Sequence, residues 1–287
     1  MASIASSLRY LLADVIGDDD TAVPFLPENL PDEAAPIIGD AILLLTEYQS
    51  ASHAQLYVHR LKRFIGRPGV EPALLCEIAG LMAMRMSYED PIRIAQLKLA
   101  EGQGGGSGAG DDIRRLCLDE LIGALPAPAA DPLLNAFGRI GWLRKRVSVR
   151  FSAKSRFGIR RLKLEASLRR WRQLSVRYNE ERVWVERWLH MIARCLDKQP
   201  RSVSAVVATA TMIQGHGEPY RQGLADWHLI IDGLAKPTFD GNLPLADLAG
   251  AIAEARAACT PDPRQVALKR VIAQIRARTL GIGAAAD

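Results

Sequence analysis

The sequence has few residues of the kinds that bind metals or cross-link chains. Its four cysteines are far apart and include no Cys-x-x-Cys pair: Cys76, Cys117, Cys195 and Cys259. The five histidines are scattered as well. Structural zinc sites and iron–sulfur clusters need closely spaced thiolate or imidazole ligands. The sequence therefore predicts no metal site and no cofactor of its own in this chain.

Long apolar runs are also missing. No stretch approaches the roughly 20 apolar residues that a membrane-spanning helix needs. Residues 2–16 are amphipathic and lack the basic start and cleavage site of a signal peptide. We therefore expect no membrane association, and we expect the cytoplasm as the compartment, since isolated thiols are typical there.

Aromatic residues make up only 6% of the chain, whereas helix-forming Ala, Leu and Arg are abundant. The pattern predicts an all-α fold, mainly a helical bundle with one long central helix and at most a short β element, at 146–151. Helices are predicted over 3–16, 32–64, 71–86, 88–100, 111–124, 132–140, 201–214, 218–235 and 245–278, the last one split near Pro261 and Pro263.

Composition shifts divide the chain into four segments. Residues 1–35 form an acidic N-terminal helix and an extended, proline-containing connector. Residues 36–100 are helical, and 101–112 are a glycine-rich linker. Residues 113–287 form a helical domain organised by a long helix over 155–198.

That long helix is predicted from an apolar repeat of seven residues. The repeat consists of Phe157, Leu164, Trp171, Tyr178, Val185 and Ile192. Such a repeat indicates a helix packed along its length against another helix. The stripe is therefore expected to lie in the core.

Charge is distributed unevenly along the chain. Residues 1–47 carry nine acidic groups against Arg9 alone, and residues 139–177 carry fourteen Lys or Arg against Glu165 alone. This basic block fits either a nucleic-acid footprint or a surface that contacts the acidic N-terminal region or an acidic partner. The second interpretation is favoured, because no nucleic-acid motif accompanies the charge.

Within the block, cations recur one position before the apolar repeat, and they are candidates for binding or interface contacts. They are Arg156, Lys163, Arg170 and Arg177, with Arg172 close by. Long cationic stems can cover apolar surface while their heads reach a carboxylate or phosphate. A solvated flank with ordinary ion pairs is the other interpretation.

A second candidate site is the turn over residues 213–223. Its candidate residues are Gly215, His216, Gly217, Glu218, Tyr220 and Arg221. Two glycines permit a tight turn, and the start of the next helix can hold an anion. A plain turn between helices explains the glycines equally well.

No catalytic residue is predicted. The sequence contains no Gly-x-Ser-x-Gly, Walker or His-Glu-x-x-His motif. The glycine-rich run at 102–110 matches a dinucleotide fingerprint in spacing only, since no strand precedes it.

Four segments in order resemble the C-terminal region of bacterial indolepyruvate ferredoxin oxidoreductase, of the thiamine-dependent 2-oxoacid:ferredoxin oxidoreductase family. They are residues 45–61 (LTEYQSASHAQLYVHRL), 88–98 (YEDPIRIAQLK), 169–189 (RRWRQLSVRYNEERVWVERWL) and 215–226 (GHGEPYRQGLAD). The chain departs from the family at His216, Tyr220 and Gln222 and in the glycine-rich run.

The resemblance implies an accessory or scaffolding subunit, or the C-terminal part, of such an enzyme, inactive alone. It places thiamine diphosphate and iron–sulfur clusters in partner catalytic subunits. Coenzyme A and ferredoxin would serve the complex, which decarboxylates an aryl 2-oxoacid oxidatively. Two alternatives stay open: a nucleic-acid-binding helical protein that uses residues 139–177, and a small-ligand-binding protein that uses the turn at 213–223.

Overall fold

A computed structural model describes residues 22–103, 112–151, 156–215 and 217–281. It is mainly helical with one two-stranded sheet, which confirms the predicted fold class. None of the described helices is both long enough and apolar enough to span a bilayer. The predicted helix at 3–16 and the core of the glycine-rich linker lie outside the described residues.

The chain divides into two units. The first comprises residues 1–67 and 82–183, and the second comprises residues 68–81 and 184–287. Helices α3 (Pro72–Met86) and α8 (Val176–Lys198) contribute residues to both.

The remaining elements of the first unit follow in chain order. They are α1 (Ala34–Tyr48), α2 (Ala51–Leu61), α4 (Pro91–Gln103), β1 (Asp112–Cys117), α5 (Leu118–Gly123), α6 (Ala127–Arg139), β2 (Arg146–Phe151), α7 (Arg156–Ser167) and a 3₁₀ segment (Leu168–Leu174).

The regular secondary structure of the second unit's described residues is all helical. Its elements are short 3₁₀ turns (Pro200–Ser202 and Thr209–Met212), α9 (Val203–Ala208), α10 (Glu218–Ile230), a π turn (Ile231–Ala235), α11 (Lys236–Phe239), α12 (Leu248–Ala257) and α13 (Val266–Leu280). The predicted split near Pro261 is confirmed. The core includes Trp188 and Trp227, whose indole N–H groups donate to Val207 O and Thr209 Oγ1.

The predicted helix over 32–64 is broken by a cap. Gln49 has φ −138° and ψ −68°, and the Ser50 hydroxyl accepts from the backbone N–H of His53 at 3.3 Å. A serine in this position satisfies an orphan amide of a new helix. Two helices, α1 and α2, therefore replace one.

The predicted single helix over 155–198 is wrong for a similar reason. Ser175 adopts an extended backbone with ψ 148°, and its hydroxyl accepts from Tyr178 N at 3.1 Å. The segment consequently consists of α7, the 3₁₀ segment and α8. Helix α8 remains a long helix of 23 residues.

The helix predicted over 111–124 is also wrong in its first half. Residues 112–117 form β1, which pairs antiparallel with β2 so that Arg115 faces Ser148 and Ile113 faces Arg150. The strand predicted at 146–151 is confirmed as β2. A small apolar cluster holds β2 against α4 and α7 through Phe151, Ile94 and Leu162.

Candidate functional site

A buried arginine, Arg172, lies at the centre of the first unit. Its Nε and Nη2 donate to the two carboxylate oxygens of Asp90 at 2.6 and 2.8 Å, and its Nη1 donates to the backbone carbonyl of Tyr48 at 2.6 Å. The guanidinium also stacks on the Tyr48 ring, 3.8 Å from its centroid. Only 1% of Arg172 is exposed. Paired and stacked on several sides, this cation holds three chain segments together.

Asp90 also caps the start of α4. Its Oδ1 also accepts from the backbone N–H of Arg93 at 2.7 Å. Pro91 follows as the first helical residue, where its missing N–H costs nothing. The carboxylate therefore caps α4 and neutralises Arg172 at the same time.

Glu181 on α8 forms a second buried ion pair in the same unit. Its Oε2 and Oε1 accept from Arg85 Nη2 at 2.6 and 2.8 Å, and Arg177 Nη2 lies 3.1 Å from the same Oε1. The side chains of Arg85 and Glu181 are 6% and 4% exposed. A buried charge in low dielectric needs such partners, since an unpaired one is strongly destabilising.

Three buried titratable groups near these pairs, His53, Tyr48 and Tyr88, have pKa values that are shifted away from neutral pH. Burial lowers the pKa of His53 to about 4, although Nε2 lies 2.9 Å from Met86 O. Burial, followed by the charge of Asp90, raises the pKa values of Tyr48 and Tyr88. Burial alone would lower the pKa of Arg172, but Tyr48 and Asp90 raise it overall. A general acid or base works best with a pKa near the working pH, and these groups are moved the other way.

One buried amide in this region has unmet hydrogen-bonding capacity. Gln49 is 1% exposed, and neither its Oε1 nor its Nε2 has a hydrogen-bond partner among the described residues. Such a group is usually satisfied by an internal water.

The predicted cations are placed in different environments. Arg172 and Arg177 belong to the buried pairs, whereas Arg156 and Lys163 are exposed on α7. For Arg170 the structure describes the backbone, in the 3₁₀ segment. They do not form one binding site.

The expected burial of the apolar stripe is wrong for its first half. Phe157, Leu164 and Trp171 are 80%, 65% and 39% exposed. Val185 and Ile192 are buried as predicted. Because α7 ends at Ser167 and the extended Ser175 separates the 3₁₀ segment from α8, the first three residues do not continue the face of α8.

Residues 218–223 of the predicted turn belong to α10, and the described residues before them connect the preceding 3₁₀ turn to this helix. Gly215 and Gly217 have φ of 71° and 70°, which favours glycine. Arg221 pairs with Glu218 at 3.1 Å, and Tyr220 is 4% exposed. His216 lies outside the described residues. The described polar groups of this turn are directed to one another and to the core.

Helix α6 and the turn after it carry an exposed apolar face. Ile140 and Trp142 are 55% and 48% exposed, and Leu133 is 37% exposed. The Trp142 ring stacks on Phe137, and the Lys145 ammonium lies 4.5 Å above Trp142. We call Leu133, Phe137, Ile140 and Trp142 the α6 face. Contiguous exposed apolar surface of this kind marks interaction sites.

The face of the β1–β2 sheet that carries Arg115 adjoins this region and is basic. Arg115, Arg146 and Arg150 are exposed, and the pairing register places them on the same side of the sheet. Leu118 N and Asp119 N donate to the backbone carbonyls of Lys145 and Leu143, and these bonds connect the end of β1 to the turn that follows α6.

Two other parts of the described structure have some features of a binding site. Cys117, Asp119 and Glu120 bring their donor atoms within 4.8 Å of one another. The two carboxylates, however, already accept backbone amides at the start of α5. A groove of about 590 Å³ is lined mostly by apolar side chains of α10, the π turn and α13. Its Arg276 donates to Gly233 O, and its Asp232 pairs with Arg187.

Sequence reasoning missed Asp90, Glu181 and Arg85 as members of the buried cluster. The Asp-Pro pair at 90–91 did carry a signal, since it is typical of a helix start. No local pattern connects Asp90 with Arg172, because their pairing depends on the tertiary fold.

Three of the four segments singled out in the sequence meet at this cluster, through Tyr48, Asp90 and Arg172. No curated protein and no solved structure matches the chain. Residues 34–233, well over half of the chain, match a family described as "Family of unknown function (DUF6537)". The matched region begins at α1 and ends within the π turn. The chain therefore belongs to the DUF6537 family, a family of unknown function.

Proposed function

We propose that this chain is a non-catalytic accessory subunit, or the C-terminal part, of a thiamine-dependent indolepyruvate ferredoxin oxidoreductase. In this proposal partner subunits carry thiamine diphosphate and iron–sulfur clusters, and the complex decarboxylates an aryl 2-oxoacid with coenzyme A and ferredoxin. The chain supplies a docking surface.

The exposed α6 face carries this proposal. It presents Leu133, Ile140 and Trp142 to solvent beside the basic face of the β1–β2 sheet. Tryptophan and arginine are enriched among the residues that dominate binding at protein interfaces. We therefore expect a partner surface with an apolar centre and an acidic rim.

Two further observations support it. Arg172, Asp90 and Glu181, which lie within the resembling segments, form buried ion pairs, and the pKa shifts of His53, Tyr48 and Tyr88 lie away from neutral pH. The same segments converge in space through Arg172. Both fit a rigid scaffold better than an open catalytic pocket.

The test is co-expression with the thiamine-diphosphate and ferredoxin-type subunits of such an oxidoreductase. We expect co-elution on size exclusion, and reduction of a viologen dye that depends on an aryl 2-oxoacid and coenzyme A. Trp142→Asp with Ile140→Asp should abolish co-elution. Leu43→Asp, at a leucine that is 66% exposed on α1, should not. Absence of any complex, or oxidation of the acid by the chain alone, would overturn the proposal.

The basic face of the β1–β2 sheet favours nucleic-acid binding as the second candidate. Three exposed arginines lie on one side of a two-stranded ribbon, a form that some DNA-binding proteins insert into a groove. Binding of duplex DNA or RNA should weaken steeply with salt and should be lost in Arg115→Gln with Arg146→Gln. Retention of the duplex by this variant, or no binding at low salt, would eliminate this candidate.

A further inference from the structure

Helix α7 carries apolar side chains on the side away from the core. Leu162, which is 1% exposed, packs against Ile94 and Phe151. On the opposite side, Phe157 and Leu164 are 80% and 65% exposed. These two lie seven residues apart on one helix and therefore share a face. Contiguous exposed apolar side chains of this kind mark a surface that binds something else.

The exposed face continues into the 3₁₀ segment. Ser167, at the junction, has φ −67° and ψ −20°, so the backbone stays helical from one element to the next. Leu168 and Trp171 are each 39% exposed, and residues three apart in a 3₁₀ helix lie one above the other. We call Phe157, Leu164, Leu168 and Trp171 the α7 stripe. It forms an apolar ridge about 21 Å long.

Cations lie on both sides of the α7 stripe. Arg160 and Arg161 occupy the turn between Phe157 and Leu164, one on each side of the line that joins them. Both arginines are exposed, and so is Lys163. Long cationic side chains in this position can lay their stems along the apolar ridge while their charged heads reach outward.

Almost no negative charge accompanies these cations. Residues 156–174 contain seven Lys or Arg against Glu165 alone. That carboxylate accepts from Arg161 Nε at 2.7 Å, so it is neutralised within the helix. The surface around the stripe is therefore positively charged, and it is complementary to a partner that is both apolar and anionic.

An anionic lipid surface has both properties. Helices that lie in a membrane interface combine a face of Trp, Phe and Leu with Lys and Arg beside it. A second copy of the chain would bring one set of cations against another. A nucleic acid would neutralise the cations but would leave Phe157 and Leu164 in water. A ridge also suits a fluid surface that can close around it, whereas a protein partner would have to supply a matching groove.

We infer that the α7 stripe inserts into the interface of an anionic lipid bilayer, with Arg160 and Lys163 beside the lipid phosphates. The contact is peripheral, since a helix that lies in the interface does not need the roughly 20 apolar residues of a spanning one. The inference therefore replaces the expectation, drawn from the sequence, of no membrane association. It does not depend on the proposed function, which places the partner subunits on the α6 face.

Co-sedimentation of the full-length chain with vesicles tests this inference. We expect binding to vesicles of equal parts phosphatidylserine and phosphatidylcholine, little binding to phosphatidylcholine alone, and weaker binding as salt is added. Leu164→Asp should weaken binding by at least about tenfold, because it places a charge on the apolar side of the contact. Leu43→Asp is the matched control, because Leu43 is 66% exposed on α1 of the same unit, and it should bind like the unmodified chain.

Charge reversal gives a second measurement. Arg160→Glu with Lys163→Glu should also weaken binding by at least about tenfold, because two cations are replaced by groups that the phosphates repel. Lys236→Glu with Arg270→Glu is the matched control at exposed cations of the second unit, and it should keep most of the binding. Circular dichroism should show the same helical content in every variant, since all of these positions are exposed.

Three results would overturn the inference. The first is no binding to the phosphatidylserine vesicles at low salt. The second is equal binding to vesicles of phosphatidylcholine alone. The third is equal binding by Leu164→Asp and the unmodified chain. If no vesicles are bound but Leu164→Asp abolishes co-elution with the subunits of the proposed oxidoreductase, the stripe is a protein interface, and the inference fails while the proposed function stands.

Discussion

Arg172 and Asp90 form a bidentate ion pair across 82 positions of sequence, and the same carboxylate caps α4. The pair is almost fully buried, with side chains that are 1% and 9% exposed. It joins the 3₁₀ segment to the start of α4, while the third arm of Arg172 reaches the end of α1. Local capping and long-range packing therefore depend on one aspartate.

The variant Asp90→Asn separates the capping of α4 from the neutralisation of Arg172. Asparagine retains the cap but removes the charge, which leaves Arg172 buried without its counter-ion. We expect the free energy of unfolding, measured by urea denaturation, to fall by about 3–5 kcal/mol. Arg161→Gln, which breaks the more exposed pair with Glu165 on α7, should cost less than about 1 kcal/mol. If the two variants lose the same amount of unfolding free energy, burial does not make the Arg172–Asp90 pair more important for stability than the exposed pair.

His53 makes stability depend on pH. Its pKa is lowered to about 4 in the folded chain, against 6.5 when unfolded. The unfolded state therefore binds more protons between these values, so stability is complete above pH 6.5 and is lost as pH falls towards 4. The loss amounts to about 3 kcal/mol at most.

Urea denaturation of the unmodified chain and His53→Gln at pH 7.5 and 5.0 checks this. We expect the variant, which keeps a donor for Met86 O, to lose less stability on acidification. His59→Gln on the same helix changes an exposed histidine and should behave like the unmodified chain. A pH dependence that is the same in all three proteins would contradict the assignment to His53.

Gly223 allows α10 to pass close to the backbone of the preceding turn. A Cβ at this position would overlap Met212 O, and it would lie 3.2 Å from the Cα of Ile213. We expect Gly223→Ala to destabilise the second unit by about 2–3 kcal/mol through backbone displacement.

Gly80→Ala is the matched control. Gly80 lies inside helix α3, and the space that a Cβ would occupy there is open to a distance of 4 Å. The alanine should stabilise the chain by up to about 1 kcal/mol, since it restricts the unfolded state. Thermal unfolding measures both variants. A stable Gly223→Ala protein would mean that the turn can shift without cost.

Arg177 is a structural residue in this fold, since it lies beside the buried Glu181. Arg177→Glu would place two carboxylates together, and we expect a loss of about 2–3 kcal/mol in urea denaturation. Lys163→Glu is the same charge reversal at an exposed residue of α7, and it should change the free energy of unfolding by no more than about 0.5 kcal/mol. If Arg177→Glu is as stable as Lys163→Glu, the Glu181 pair contributes little.

The helical fold class, the β2 strand and the split of the last helix near Pro261 could be predicted from the sequence. Each depends on neighbours in the chain: apolar periodicity, alternation, or a proline that cannot continue a helix. The breaks at Ser50 and Ser175 could not be predicted, because serine is tolerated inside helices and becomes a cap only where the chain must change direction. Strand β1 was missed because a strand needs a partner, and Arg146–Phe151 is 29 or more residues farther along the chain.

The composition and local periodicity of this sequence determined that it forms helices, where most of them lie, and that its basic charge is concentrated within residues 139–177. Only the tertiary structure decided what those charges do. It buried Arg172 against Asp90 and paired Arg177 with Glu181, while it left Arg156, Lys163 and the first half of the apolar repeat exposed. The physical reason is that desolvation and ion pairing depend on distances in space, whereas a repeat of seven residues fixes only the side of an unbroken helix on which a residue lies.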